Sequence, residues 1–93
     1  MALVTVRLPS LLAPMVGGTP TIAVDADTLA SALDELMRRH PELRVHIYDE
    51  SGKLRRHVLC FHNQTNVRWL DELEVPLAAG DTITIYQAVS GGA

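Results

Sequence analysis

Asp81-Thr82-Ile83-Thr84-Ile85-Tyr86-Gln87-Ala88-Val89-Ser90-Gly91-Gly92-Ala93 is the stretch around which the rest of the chain is organised. Ile83 and Ile85 fall on one face of an extended segment, with Thr82, Thr84 and Tyr86 on the other, which is the period-two signature of a half-buried strand. The strand runs straight into a tail. Gly91 and Gly92 lack a Cβ, so their backbone can pass through a channel too narrow for side chains and take dihedrals that other residues resist. The pattern predicts a folded unit over residues 1–87 and a flexible C-terminal tail over 88–93, built to be presented to another protein.

The preceding chain supplies the body that anchors this strand. Leu3 to Leu8 alternates, with Val4, Val6 and Leu8 on one face and Thr5 and Arg7 on the other, and stops at Pro9. Ser10 to Pro20 carries prolines at 14 and 20 and the Gly17-Gly18 pair, punctuation that reads as a loop folded over the core edge through Leu11, Leu12 and Met15. Thr21-Ile22-Ala23-Val24 is a second strand, ended by Asp25-Ala26-Asp27. Asp27 or Thr28 caps a helix. Its apolar face is Leu29, Leu33, Leu36, Met37 and His40; Asp34 with Arg38 and Glu35 with Arg39 form acid-first i,i+4 pairs; Pro41 ends it. Leu43, Val45 and Ile47 alternate with Arg44, His46 and Tyr48, which predicts a strand. Asp49-Glu50-Ser51-Gly52 is a turn, Leu54 to His62 a strand paired with its neighbour by a hairpin, and Asn63-Gln64-Thr65-Asn66 a turn into Val67-Arg68-Trp69. Leu70 to Glu74 makes a short helical turn that Pro76 breaks, and Gly80-Asp81 turns into the last strand.

Composition narrows the chemistry. Ninety-three residues make one small domain, too small for a deep catalytic cleft with its own cofactor. Hydrophobic residues are 47% of the chain and aromatics 4%, which predicts an aliphatic core. A formal net charge of −3, with the basic residues scattered, argues against nucleic acid. A single cysteine forms no internal disulfide, and no apolar run is long enough for an export signal or a membrane span, so the expected location is cytoplasmic. His57, Cys60 and His62 lie close in sequence, but in a strand Cys60 and His62 share a face and His57 takes the other, so no metal site is expected. Cys60, mid-strand among apolar neighbours, reads as a small buried residue and not a nucleophile. The chain carries no paired carboxylates, phosphate loop or Ser-His-Asp set, and is expected not to be an enzyme. The same alternation puts Leu59 and Phe61 opposite Val58 and Cys60. With Val58 and Cys60 against the helix, Leu59 and Phe61 lie on the open side of the sheet as a docking surface.

The Gly-Gly ending, with Arg68-Trp69-Leu70, the Pro76-Leu77 step and Gly80-Asp81 ahead of it, resembles the MoaD/ThiS family of small ubiquitin-like sulfur carriers. The resemblance implies an α+β β-grasp fold: a mixed sheet with one main helix packed across one face, the first and last strands side by side at its centre. It also implies chemistry at Gly92, next to Gly91. An E1-like enzyme adenylates the terminal glycine carboxylate using ATP, and a sulfur donor converts the adenylate to a thiocarboxylate, which a sulfur-accepting synthase consumes. The carrier itself binds no cofactor. Docking to the activating enzyme would use the open sheet face, with Leu59 and Phe61, and the tail residues Ala88, Val89 and Ser90. Ala93 departs from the family's usual ending and is expected to be a cap, removed by a zinc-dependent JAMM-type peptidase as in capped carriers that serve cysteine or secondary-metabolite synthesis. Thiamine thiazole and molybdopterin are other destinations. Alternatives are a ubiquitin-like modifier conjugated through Gly92, or the small subunit of a molybdopterin synthase.

Overall fold

The computed structural model describes residues 2–67 and 74–87. Its order is β1 (Ala2–Arg7), a 3-10 helix (Ser10–Val16), β2 (Thr21–Ala26), α1 (Leu29–Arg39), a single 3-10 turn (Pro41–Leu43), α2 (Arg44–Ile47), β3 (Val58–His62), β4 (Thr65–Asn66) and β5 (Thr82–Gln87). These five strands form one mixed sheet in the order β2-β1-β5-β3-β4. β1 and β5 run parallel side by side, Val6 opposite Ile83, and the other neighbouring pairs are antiparallel. The first and last strands therefore lie at the centre, with α1 across one face, the arrangement of a β-grasp domain.

The core follows from the alternation. Val4, Val6, Val24, Val58, Cys60, Ile83 and Ile85 point from the sheet to the helix side, where Leu29, Ala32, Leu33, Leu36 and Met37 of α1 meet them in one buried cluster. None of the buried side chains among the described residues is polar or charged. α1 begins where the sequence places it: the Thr28 hydroxyl accepts from the Ser31 N–H at 3.1 Å while the Ser31 hydroxyl accepts from the Thr28 N–H at 3.1 Å. A further first-turn amide, that of Leu29, donates to the Val75 carbonyl at 2.9 Å, so the segment after position 73 closes the helix start. The helix ends at His40, whose φ of −133° and ψ of 70° are the non-helical dihedrals that a following proline enforces.

Several expectations require correction. Leu43 to Tyr48 is not a strand: Pro41–Leu43 and Arg44–Ile47 are helical. Leu43 and Ile47, four residues apart, share one helical face and are fully buried, whereas Val45 points out with 64% of its surface exposed. Without that strand there is no long hairpin. Leu54 makes only an isolated bridge to Tyr48, the Arg55 N–H bonds to the Ile47 carbonyl, residues 56–57 are a turn, and β3 starts only at Val58. Ser10–Val16 is a 3-10 helix despite Pro14, closed by Gly17 at φ 88°, a conformation that costs glycine little. β2 continues through Asp25 and Ala26. On α1, Arg38 pairs with Glu35 and not Asp34; Arg39 joins the same carboxylate at 2.9 Å, so Glu35 holds both cations. Asp49 makes the expected turn, its carboxylate accepting from the Ser51 and Lys53 amides at 2.9 and 3.1 Å. The expected helical turn at Leu70 to Glu74 lies mostly outside the described residues.

Candidate functional site

β5 is flanked on both sides, and its inward Ile83 and Ile85 are 0% and 2% exposed, so the strand that leads to the tail is fixed from both edges and from below. Its beginning is tied as well. Gly80, at φ 90°, turns the chain and donates to the Leu3 carbonyl; the Asp81 carboxylate accepts from the Ala78 N–H at 2.9 Å, His62 Nε2 at 2.8 Å and Asn63 Nδ2 at 3.2 Å. Those donors hold the Asp81 carboxyl down at about 2, the Ala78 amide contributing most, then His62 and Asn63. Asn63 adds a reciprocal pair with the backbone of Thr82, accepting from its N–H at 2.9 Å and donating its own N–H to the Thr82 carbonyl at 2.7 Å.

The outer face of β3 and β5 carries the expected docking residues. Val58 and Cys60 are fully buried under the helix, and Leu59 and Phe61 stand half-buried on the open side. Register places Leu59 opposite Tyr86 and Phe61 opposite Thr84. The Phe61 and Tyr86 rings meet edge to face, centroids 5.8 Å apart at 82°, and Tyr86 is 54% exposed. Tyr86 belongs to the patch although sequence reasoning did not include it; its position outward from Ile85, one residue before the end of the last strand, was the available signal. The patch ends one residue short of the end of the strand, at Tyr86 opposite Leu59, and the tail follows Gln87. Ala88, Val89, Ser90, Gly91, Gly92 and Ala93 themselves lie outside the described residues.

Among the described residues, reactive side chains elsewhere do not assemble into a catalytic set. Burial pushes the Cys60 thiol up to about 12, far from a thiolate. His62 faces Asp81, and His57 is exposed in the turn before β3. Among the described residues no three of His, Cys, Asp and Glu approach closely enough to hold a metal ion, and no helix is long and apolar enough to cross a membrane.

A mixed sheet crossed by one helix, with its central last strand leading into a Gly-Gly tail, defines a ubiquitin-like β-grasp domain. Residues 6–92 match the ThiS family, and the chain belongs to that family. Sulfur carrier protein CysO of Mycobacterium tuberculosis is 35% identical over 91 residues, spanning 96% of this chain and 98% of CysO. Its crystal structure superposes with a TM-score of 0.80 at 34% identity, covering 92% of this chain and 99% of that one. A chain of the crystal structure of the Amycolatopsis orientalis BexX/CysO complex superposes with a TM-score of 0.81 at 32% identity, covering 96% of this chain and 99% of that one. Small archaeal modifier protein 1 of Haloferax volcanii is 34% identical over 80 residues, 83% of this chain and 87% of the modifier. These relatives are small ubiquitin-like carriers and modifiers and not enzymes.

Proposed function

We propose that this chain is a sulfur carrier whose reacting group is the carboxylate of Gly92. The observation that carries the reading is a central, doubly flanked β5 that ends at Gln87 beside an apolar face, with Gly91-Gly92 next in the sequence, in a chain that matches a sulfur carrier along nearly all of its length. In this sequence Gly92 is followed by Ala93, so its carbonyl is tied up in an amide that cannot be activated as an acid. Hydrolysis of that peptide bond, by a JAMM-type zinc peptidase, consumes one water and frees the carboxylate. A carboxylate oxygen then attacks the α-phosphorus of ATP in the E1-like enzyme, and pyrophosphate leaves. The resulting acyl adenylate has AMP as its leaving group, which turns an inert carboxylate into an acylating agent. Sulfide from the donor attacks the acyl carbon, the bond to the AMP oxygen breaks and AMP departs, and the resulting thiocarboxylate passes its sulfur to a synthase making cysteine or another sulfur-containing metabolite.

The chain's own part is to bind, orient and then stand clear. The likeness to a CysO solved in complex with BexX supports docking of the folded body onto a partner. The likeness to the archaeal modifier favours one second reading, attachment of Gly92 to lysines. Incubating the chain processed to Gly92 with the adenylating enzyme, ATP and sulfide separates them by mass spectrometry. Exchange of one oxygen for sulfur at the C-terminus supports the carrier. An isopeptide adduct supports the modifier, and an unchanged C-terminus overturns both.

A further inference from the structure

Alternation along β1 sends Val4, Val6 and Leu8 into the core and leaves Leu3, Thr5 and Arg7 on the open face of the sheet. Register sets Arg7 beside Thr84, and Thr84 beside Phe61, so the guanidinium borders the apolar patch on its β1 side. The pairing of β1 with β2 sets Arg7 opposite Thr21 and Leu3 opposite Asp25. Asp25 is thus on the same face, four residues of extended chain away, about 13 Å, toward the end remote from the tail. Both side chains are exposed, and neither makes a hydrogen bond or an ion pair among the described residues. The positions between them, Thr5, Ala23, Thr82 and Thr84, are uncharged. Among the described residues the open faces of β2, β1 and β5 therefore carry one cation, level with Thr84 on the side toward the tail, and one anion at the far end, with apolar surface between β5 and β3.

An enzyme that reacts with Gly92 has to sit close to this end of the sheet, because the five residues from Ala88 to Gly92 span at most about 18 Å when extended. The exposed apolar surface bordering that exit is on the open face. Resting on the reading of Gly92 as the reacting residue, we propose that Arg7 and Asp25 set the orientation of docking: the adenylating enzyme presents a carboxylate to Arg7, on the side toward its channel for the tail, and a cation to Asp25 at the far end. Apolar contact alone would allow the face to land in either sense along the strands. The two opposite charges penalise the reversed pose, in which each would meet its own sign.

The test is pyrophosphate release by the adenylating enzyme, with the chain processed to Gly92 as the varied substrate. Arg7→Glu is expected to raise KM roughly tenfold at low salt with kcat unchanged, and Asp25→Arg to act alike, since exposed interfacial charges govern encounter more than the bound reaction. Arg7→Lys keeps most of the wild-type KM. The differences close at about 1 M salt, where screening acts within about 3 Å. Circular dichroism identical to wild type shows that the fold is kept. If both reversals leave KM within about twofold of wild type at low salt, these charges only solvate the face and the inference is overturned while the carrier reading stands. If the wild-type chain itself releases no pyrophosphate, the carrier reading falls and takes this inference with it.

Discussion

Asp81 fixes the root of the last strand, because one carboxylate collects the Ala78 amide, His62 and Asn63 from two separate turns. Its carboxyl lies at about 2 against an ordinary 3.8. A carboxyl depressed by folding adds stability that is fully present above the unfolded value, about 4, and is lost as the pH falls toward the folded one. Thermal melts of wild type and Asp81→Asn should show the variant less stable at neutral pH and losing less of its melting temperature between about pH 5 and 2. Parallel losses would show that this carboxylate is not linked to folding. Glu35, held at about 2 by Arg38 and then Arg39, titrates in the same window, so the variant's curve flattens without becoming level. Three consecutive positions on β3 give a second comparison. Leu59→Asp and Phe61→Asp should keep the circular dichroism of wild type and weaken pull-down by the adenylating enzyme, whereas Cys60→Asp should unfold the domain, since a carboxylate buried without a partner costs several kcal/mol. Unfolding by the outer pair would place them in the core instead. The faces of β3 were legible in the sequence because alternation assigns all three residues at once. The His62 and Asn63 contacts of Asp81 were not, since these residues lie 19 and 18 positions from it and meet it only when β3 and β5 pair.

At the level of elements, the segment 43–48 shows where periodicity runs out. Leu-x-Val-x-Ile satisfies a strand, but Leu43 and Ile47 four apart satisfy a helical face equally well, and Pro41 at the first helical position supplies a φ suited to starting that turn. The deciding fact is tertiary: both residues are buried in the helical arrangement and Val45 is left in water. Val45→Lys should therefore change stability by no more than about 0.5 kcal/mol, whereas Leu36→Ala, emptying a fully buried site on α1, should cost about 2–5 kcal/mol by chemical denaturation. A large loss from Val45→Lys would restore the strand. α1 itself was legible to within one residue of its N-cap, Asp27 or Thr28 in the sequence and Thr28 in the structure, because the leucine spacing and Pro41 agree. The 3-10 helix at Ser10–Val16 was hidden by Pro14, which a short, loosely bonded helix tolerates.

For the whole molecule, the parallel pairing of β1 with β5 joins the first six described residues to the last six. No local pattern encodes that contact; it came from the resemblance to the MoaD/ThiS family and is what the structure has. It makes the last strand the middle one of the five. On the proposed reading the fold holds out Gly92 for activation, and Ala93 stands in the way. An extra peptide unit moves the carboxylate by roughly 3.5 Å from where glycine places it, and misplacement on that scale costs a hundredfold or more in rate. The most direct measurement offers the full chain and a chain ending at Gly92 separately to the adenylating enzyme with ATP and sulfide, without peptidase, and weighs the C-terminal peptide. Thiocarboxylate on the shorter chain alone is the expected result. Equal thiocarboxylate on both chains would contradict the role of Ala93 as a cap, and none on the shorter chain would contradict the carrier itself.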